Sequence, residues 1–178
     1  MKRTLFTSML ALATVCSTPG WAAPNLCAKG ETVFFSCPVR GGKLVSLCGN
    51  IGNGKDSGDA GPWLQYRFGR PGAIELGYPA AKQASLARFK GEHVLSHLAD
   101  AEMTSESVSF VSGGIGYRIE STMPESQKLF QGVSIGDPRK FDLPVPATPR
   151  ASYPDLVIPC TAKADTSGFF ELIEQLGE

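Results

Sequence analysis

Gly113-Gly114, set within the stretch Val108 to Ile119, constrains this chain more than any other feature of its sequence. Two consecutive glycines accept the positive φ angles that both central positions of a tight hairpin turn require. Pairing outward from them sets Phe110 against Tyr117 and Val108 against Ile119 on one face. On the other face Ser109 meets Arg118 and Ser107 meets Glu120. A slip of one residue would mix apolar and polar sets, so the pattern itself specifies the register.

A second hairpin is read over Trp63 to Tyr78, with Gly69-Arg70-Pro71-Gly72-Ala73 as its loop. Its inward sets are Leu64, Tyr66, Phe68 and Ile74, Leu76, Tyr78, which leaves Trp63, Gln65 and Arg67 together on the outer face. A third is read over Thr32 to Cys37 and Lys43 to Cys48 around Gly41-Gly42, with β-rich arms apolar on both faces. Further extended pieces are expected at His93 to Leu98, Lys128 to Ile135 and Asp155 to Cys160, and a short alanine-rich helix over Pro79 to Phe89.

Six prolines fall in the 22 residues from Pro138 to Pro159, and Leu143-Pro144-Val145-Pro146 lacks the donors a central strand needs. Residues 138–159 are therefore read as an extended surface crossover. Beyond it, Asp165-Thr166-Ser167 offers helix caps, and Phe169, Phe170, Leu172, Ile173 and Leu176 form one apolar stripe before Gly177. A two-turn helix packed on the sheet is expected there. The fold class is all-β in the main: antiparallel hairpins closed as a barrel or sandwich, with a short C-terminal helix and disulfides.

The chain begins with an export signal over residues 1–22. Lys2 and Arg3 precede the apolar run Leu5 to Val15, and Gly20 and Ala22 place small residues at the positions that cleavage after Ala22 requires. Val15 before Cys16 is too large for lipoprotein processing. No later segment approaches the ~20 apolar residues of a membrane-spanning helix, so a periplasmic or secreted chain is expected without a transmembrane segment. Residues 23–178, 156 in number, suit a single β-rich domain. Without Lys2 and Arg3 they carry 15 basic against 17 acidic residues, with no block of like charge, which argues against nucleic acid or anionic membrane as partner.

Four cysteines remain after processing: Cys27, Cys37, Cys48 and Cys160. In an oxidising compartment they read as two disulfides with three possible connectivities. Their spacings match neither a redox CxxC nor a zinc ribbon. The favoured pairing joins Cys37 to Cys48, leaving Cys27 to tie the amino terminus to Cys160 across a long loop. With a turn centred on Gly41-Gly42, Cys37 and Cys48 lie diagonally, so their bridge requires a bulge or a longer loop.

Several motif matches fail on chemistry. Gly49 to Lys55 satisfies the first seven positions of a phosphate-binding loop, but Asp56 stands where a hydroxyl must hold Mg²⁺, and Ser57-Gly58-Asp59-Ala60-Gly61-Pro62 cannot begin the required helix. Gly132-Val133-Ser134-Ile135-Gly136 matches a nucleophile elbow, yet both histidines precede the serine. A triad combining His93 or His97 with Asp100 stays open, because triads are recognised by geometry. Glu92, His93 and His97 suggest a metal only on a helix; on a strand the two histidines are about 13 Å apart. Asp56 and Asp59 read as solvated turn residues as readily as cation ligands. No metal and no cofactor is expected. Trp63, Gln65 and Arg67 form a combination resembling a protein-binding hot spot, although a packed tryptophan explains it too.

Glu31-Thr32-Val33-Phe34-Phe35-Ser36-Cys37, Ser46-Leu47-Cys48, Leu64-Gln65-Tyr66-Arg67-Phe68-Gly69 and Ile74-Glu75-Leu76 resemble a group of small, uncharacterised exported bacterial proteins, over about residues 27 to 120. The resemblance implies a periplasmic address and no activity. Ser112-Gly113 with Tyr117 is similar to the Ser-Gly-x-x-Tyr loop of bacterial lysozyme inhibitors, with the tyrosine one residue late. The functional expectation is non-enzymatic binding of a protein or cell-envelope component, lysozyme-inhibitor-like in one version. The alternative is a small periplasmic hydrolase using His93 or His97.

Overall fold

The computed structural model describes residues 23–52, 61–98, 101–124, 129–145, 147–148 and 150–177, with the backbone alone at 97–98, 101–102 and 123–124. Residues 1–22, read above as an export signal, residues 53–60 of the glycine-rich loop, and Lys128 lie outside them. Strands β1 (Thr32–Val39), β2 (Lys43–Asn50), β3 (Trp63–Arg70) and β4 (Ala73–Tyr78) form one antiparallel sheet in sequence order. A second antiparallel sheet contains β5 (Lys90–Leu98), β6 (Ala101–Ser112), β7 (Ile115–Pro124), β8 (Phe130–Gly136) and β9 (Leu156–Pro159), again in sequence order. The sheets stack as a sandwich, not a closed barrel, and helix α1 (Phe169–Gly177) joins the shared core.

The Gly113-Gly114 hairpin forms in the expected register, with Phe110 opposite Tyr117, Val108 opposite Ile119 and Ser109 opposite Arg118. Gly113 and Gly114 take φ of 58° and 76°, as that turn demands. Its arms are longer than the apolar alternation indicates, because β5 pairs with the polar stretch of β6 as far as Ala101. Tyr66, Phe68, Leu76 and Tyr78 face the core, but Ile74 sits past a bulge at the hairpin end and is 47% exposed.

The β1–β2 turn corrects the disulfide pairing. It is a three-residue 3-10 turn, Arg40–Gly42, so Val39 faces Lys43 and Cys37 faces Val45. Cys37 therefore points into the core, whereas Cys48, three positions beyond Val45, points to the outer face. Side chains on opposite faces of one sheet cannot bond. The bridges are Cys27–Cys48 and Cys37–Cys160, with Cα separations of 5.3 and 5.7 Å.

Pro79 to Phe89 does not form the expected helix; only Leu86–Arg88 makes a 3-10 turn. The segment is spent as an anchor instead. The Leu64 N–H donates to Ser85 Oγ at 2.8 Å and Gln65 Nε2 donates to Pro79 O at 2.8 Å, which outweighs alanine propensity. The proline-rich crossover opens with a 3-10 turn over Pro138–Phe141 and ends as the edge strand β9.

Helix α1 forms where its stripe predicts and buries Phe169, Leu172 and Ile173, while Phe170 is left 47% exposed. Gly91 permits the approach: a Cβ there would stand 2.9 Å from Ile173 O. Upstream, Ser36 and Asp165 exchange two backbone hydrogen bonds, so the outer edge of β1 is partly occupied.

Candidate functional site

Trp63, Gln65 and Arg67 share the outer face of β3, as alternation requires, but that face is covered. Residues 24–31 cross it as a strap, held by the Cys27–Cys48 bridge, by Leu26 N–H donating to Ser46 Oγ and by Ser36 Oγ donating to Pro24 O. Arg67 grips Glu31 with both terminal guanidinium nitrogens, at 2.6 and 2.9 Å, and also donates to Leu26 O and, through Nε, to Gln65 Oε1. Lys82 reaches Glu31 at 3.0 Å and lies 4.0 Å over the Trp63 ring. Burial alone would raise the Glu31 pKa; bonds from Arg67, the Ala28 N–H and Lys82 override it and hold the group at about 2. The expected hot spot is thus the floor of an intramolecular clamp. Cys27, Glu31 and Cys48 lie close enough to suggest a metal, but both sulfurs are committed to the disulfide.

Ser112 sits beside the Gly113-Gly114 turn, yet Tyr117 does not project from it. Its ring stacks on Phe110 at 4.9 Å with an interplanar angle of 2°, close to Tyr66 at 6.2 Å. Burial raises the Tyr117 pKa, against a smaller opposing influence of Arg150. Arg150 also donates to Gly113 O at 3.4 Å, across the tip.

The hydrolase alternative needs a histidine beside a serine or a carboxylate. His93 is exposed and its ring stands edge-on to Phe170 at 5.5 Å, with no hydrogen bond to any described residue. Ser134 lies on the opposite face of the same sheet, in the row Lys90, Ser109, Arg118, and donates to Glu120 at 2.7 Å. Arg118 on that face pairs with Glu92 at 2.6 Å, and Lys90 joins Glu92 at 2.7 Å, so Glu92 is engaged in ion pairs. Strand geometry also separates His93 from His97. The His97 side chain, Asp100, Asp56 and Asp59 lie outside the described residues.

One feature is open to solvent and unassigned by the motifs: the outer edge of β5. The strand has nine residues, no proline and an uninterrupted register with β6. Among the described residues no backbone hydrogen bond reaches it from outside the sheet. Val94 is 47% and Leu95 64% exposed at its middle, one on each face. Between β5 and α1 lies an open depression of about 580 Å³ lined by Gly91, His93, Phe170, Ile173, Glu174 and Gly177. Other edges are blunted: β9 has four residues ending in Pro159, and β4 carries a bulge and a Glu75–Lys43 ion pair. The sequence holds the clue in Val94-Leu95, adjacent apolar residues that no single buried face of a strand can hold. Compared with known proteins, the chain has no match among family models, curated proteins or solved structures.

Proposed function

We propose that this is an exported, disulfide-stabilised β-sandwich that acts by binding, without chemistry of its own, and that it binds along the outer edge of β5. The carrying observation is the nine-residue edge strand, uninterrupted in its register with β6 and without a backbone partner on its outer side among the described residues, with Val94 and Leu95 exposed at its centre. Unpaired strand N–H and C=O groups recruit another extended chain, and flanking apolar side chains add affinity. Export is supported by the amino-terminal signal pattern and by two disulfides, which persist outside the cytosol. Among the described residues no helix is long and apolar enough to cross a membrane. The lysozyme-inhibitor version lacks a tyrosine exposed at the Gly113-Gly114 turn, because Tyr117 is committed to the aromatic stack.

The test compares tagged, mature, oxidised wild type with Val94→Lys and Leu95→Lys in retention of a bound chain, supplied either in envelope extract or as the untagged protein itself. Both variants lose the retained protein, whereas Ile74→Lys on β4 keeps it. Equal retention by all four would refute binding at β5.

A further inference from the structure

We propose that the occupant of the β5 edge is a second copy of this chain, joined by antiparallel β5–β5 pairing about a two-fold axis; this rests on the binding reading above. The argument is one of self-complementarity. A two-fold axis normal to the sheet preserves both faces of each strand, so outward residues must oppose outward residues and core-side residues core-side ones. Lys90, Glu92, Val94 and Ser96 occupy the outward face of β5, and Gly91, His93 and Leu95 the core side. With Val94 on the axis, Val94 faces Val94, Glu92 faces Ser96, and His93 faces Leu95 of the second copy.

This register covers what the isolated molecule leaves bare. The His93 ring already stands against Phe170, so Leu95 of the second copy arrives beside a ring pair whose outer member is 47% exposed. Three of the large apolar side chains exposed on this molecule, Val94, Leu95 and Phe170, are thereby covered in one contact, twice over by symmetry. No like charges face each other: Glu92, already paired with Lys90 and Arg118, meets a serine. The two five-stranded sheets become one continuous sheet, and the open edge disappears.

Sedimentation of the mature, oxidised protein should show a dimer that dissociates on dilution, with Leu95→Lys weakening it at least about tenfold while melting like wild type. The register is read by Val94→Cys. Directly opposed strand residues have Cα atoms ~4.5–5.5 Å apart, within disulfide range, so this variant should cross-link to itself on mild oxidation whereas Leu156→Cys on β9 should not. A chain monomeric at every concentration, or a dimer that cross-links equally through Leu156→Cys, overturns the proposal. If the chain is monomeric while Val94→Lys and Leu95→Lys still release an envelope partner, self-pairing falls and binding at β5 stands. If those variants also retain the partner, both fall.

Discussion

Glu31 shows how one side chain reassigns a whole surface. Its carboxylate receives Arg67 and Lys82, and its side chain is only 8% exposed. From the sequence, Arg67 is an outward-facing residue of a strand, and alternation gives it that face correctly; nothing local says that a segment 36 positions earlier will cover it. The pairing makes a titration prediction. Glu31 is held at about 2 against an ordinary 4.5, so it favours ionisation in the folded state. Its stabilisation is fully present above pH 4.5 and is lost as pH falls towards 2, amounting to about 3 kcal/mol at most. Urea denaturation should therefore find Glu31→Gln less stable than wild type at neutral pH, with the difference shrinking steadily below pH 4.5. A difference independent of pH would mean that the carboxylate contributes through shape and not charge.

At the scale of elements, turns decide more than strands do. The Gly113-Gly114 hairpin is legible because turn chemistry and alternation both lie within a dozen residues and agree. The β1–β2 hairpin is legible as a hairpin, yet its turn holds three residues instead of two, and one residue inverts the relative facing of Cys37 and Cys48. Peptide mapping without reduction should recover Cys27 with Cys48 and Cys37 with Cys160. Because these bridges close loops of 21 and 123 residues, removing the second pair by serine substitution should cost about 5 kcal/mol against about 3 for the first. Equal losses would show that strap release, and not chain entropy, dominates the first bridge. Helix α1 depends on one position of another element. Gly91→Ala would bring its Cβ to 2.9 Å from Ile173 O and from Leu176 Cβ, so α1 must shift, costing about 1–3 kcal/mol. Faster amide exchange in α1, with the β6–β7 hairpin still protected, is the expected signature.

For the whole molecule, the outcome turns on which surfaces the chain covers for itself. The outer face of the first sheet is closed by the strap, and the core of the sandwich by α1. The edge of β1 is partly closed by Asp165, and that of β5 is left open by the described residues. Residue types alone mark His93 to Leu98 as extended, and these residues lie in β5. Its place at the end of the sheet is not legible in them, since strand order follows from how hairpins dock and leaves no local periodicity behind. The same holds for Tyr117: its pairing with Phe110 is legible in the sequence, its stacking beneath the opposite sheet is not. The amino-acid order by itself suffices for strands, their alternation and the tightest register, because these depend on neighbours a few residues apart. The cysteine partners, the covered outer face and the exposed edge emerge only with folding, because each depends on segments tens of residues apart meeting in space.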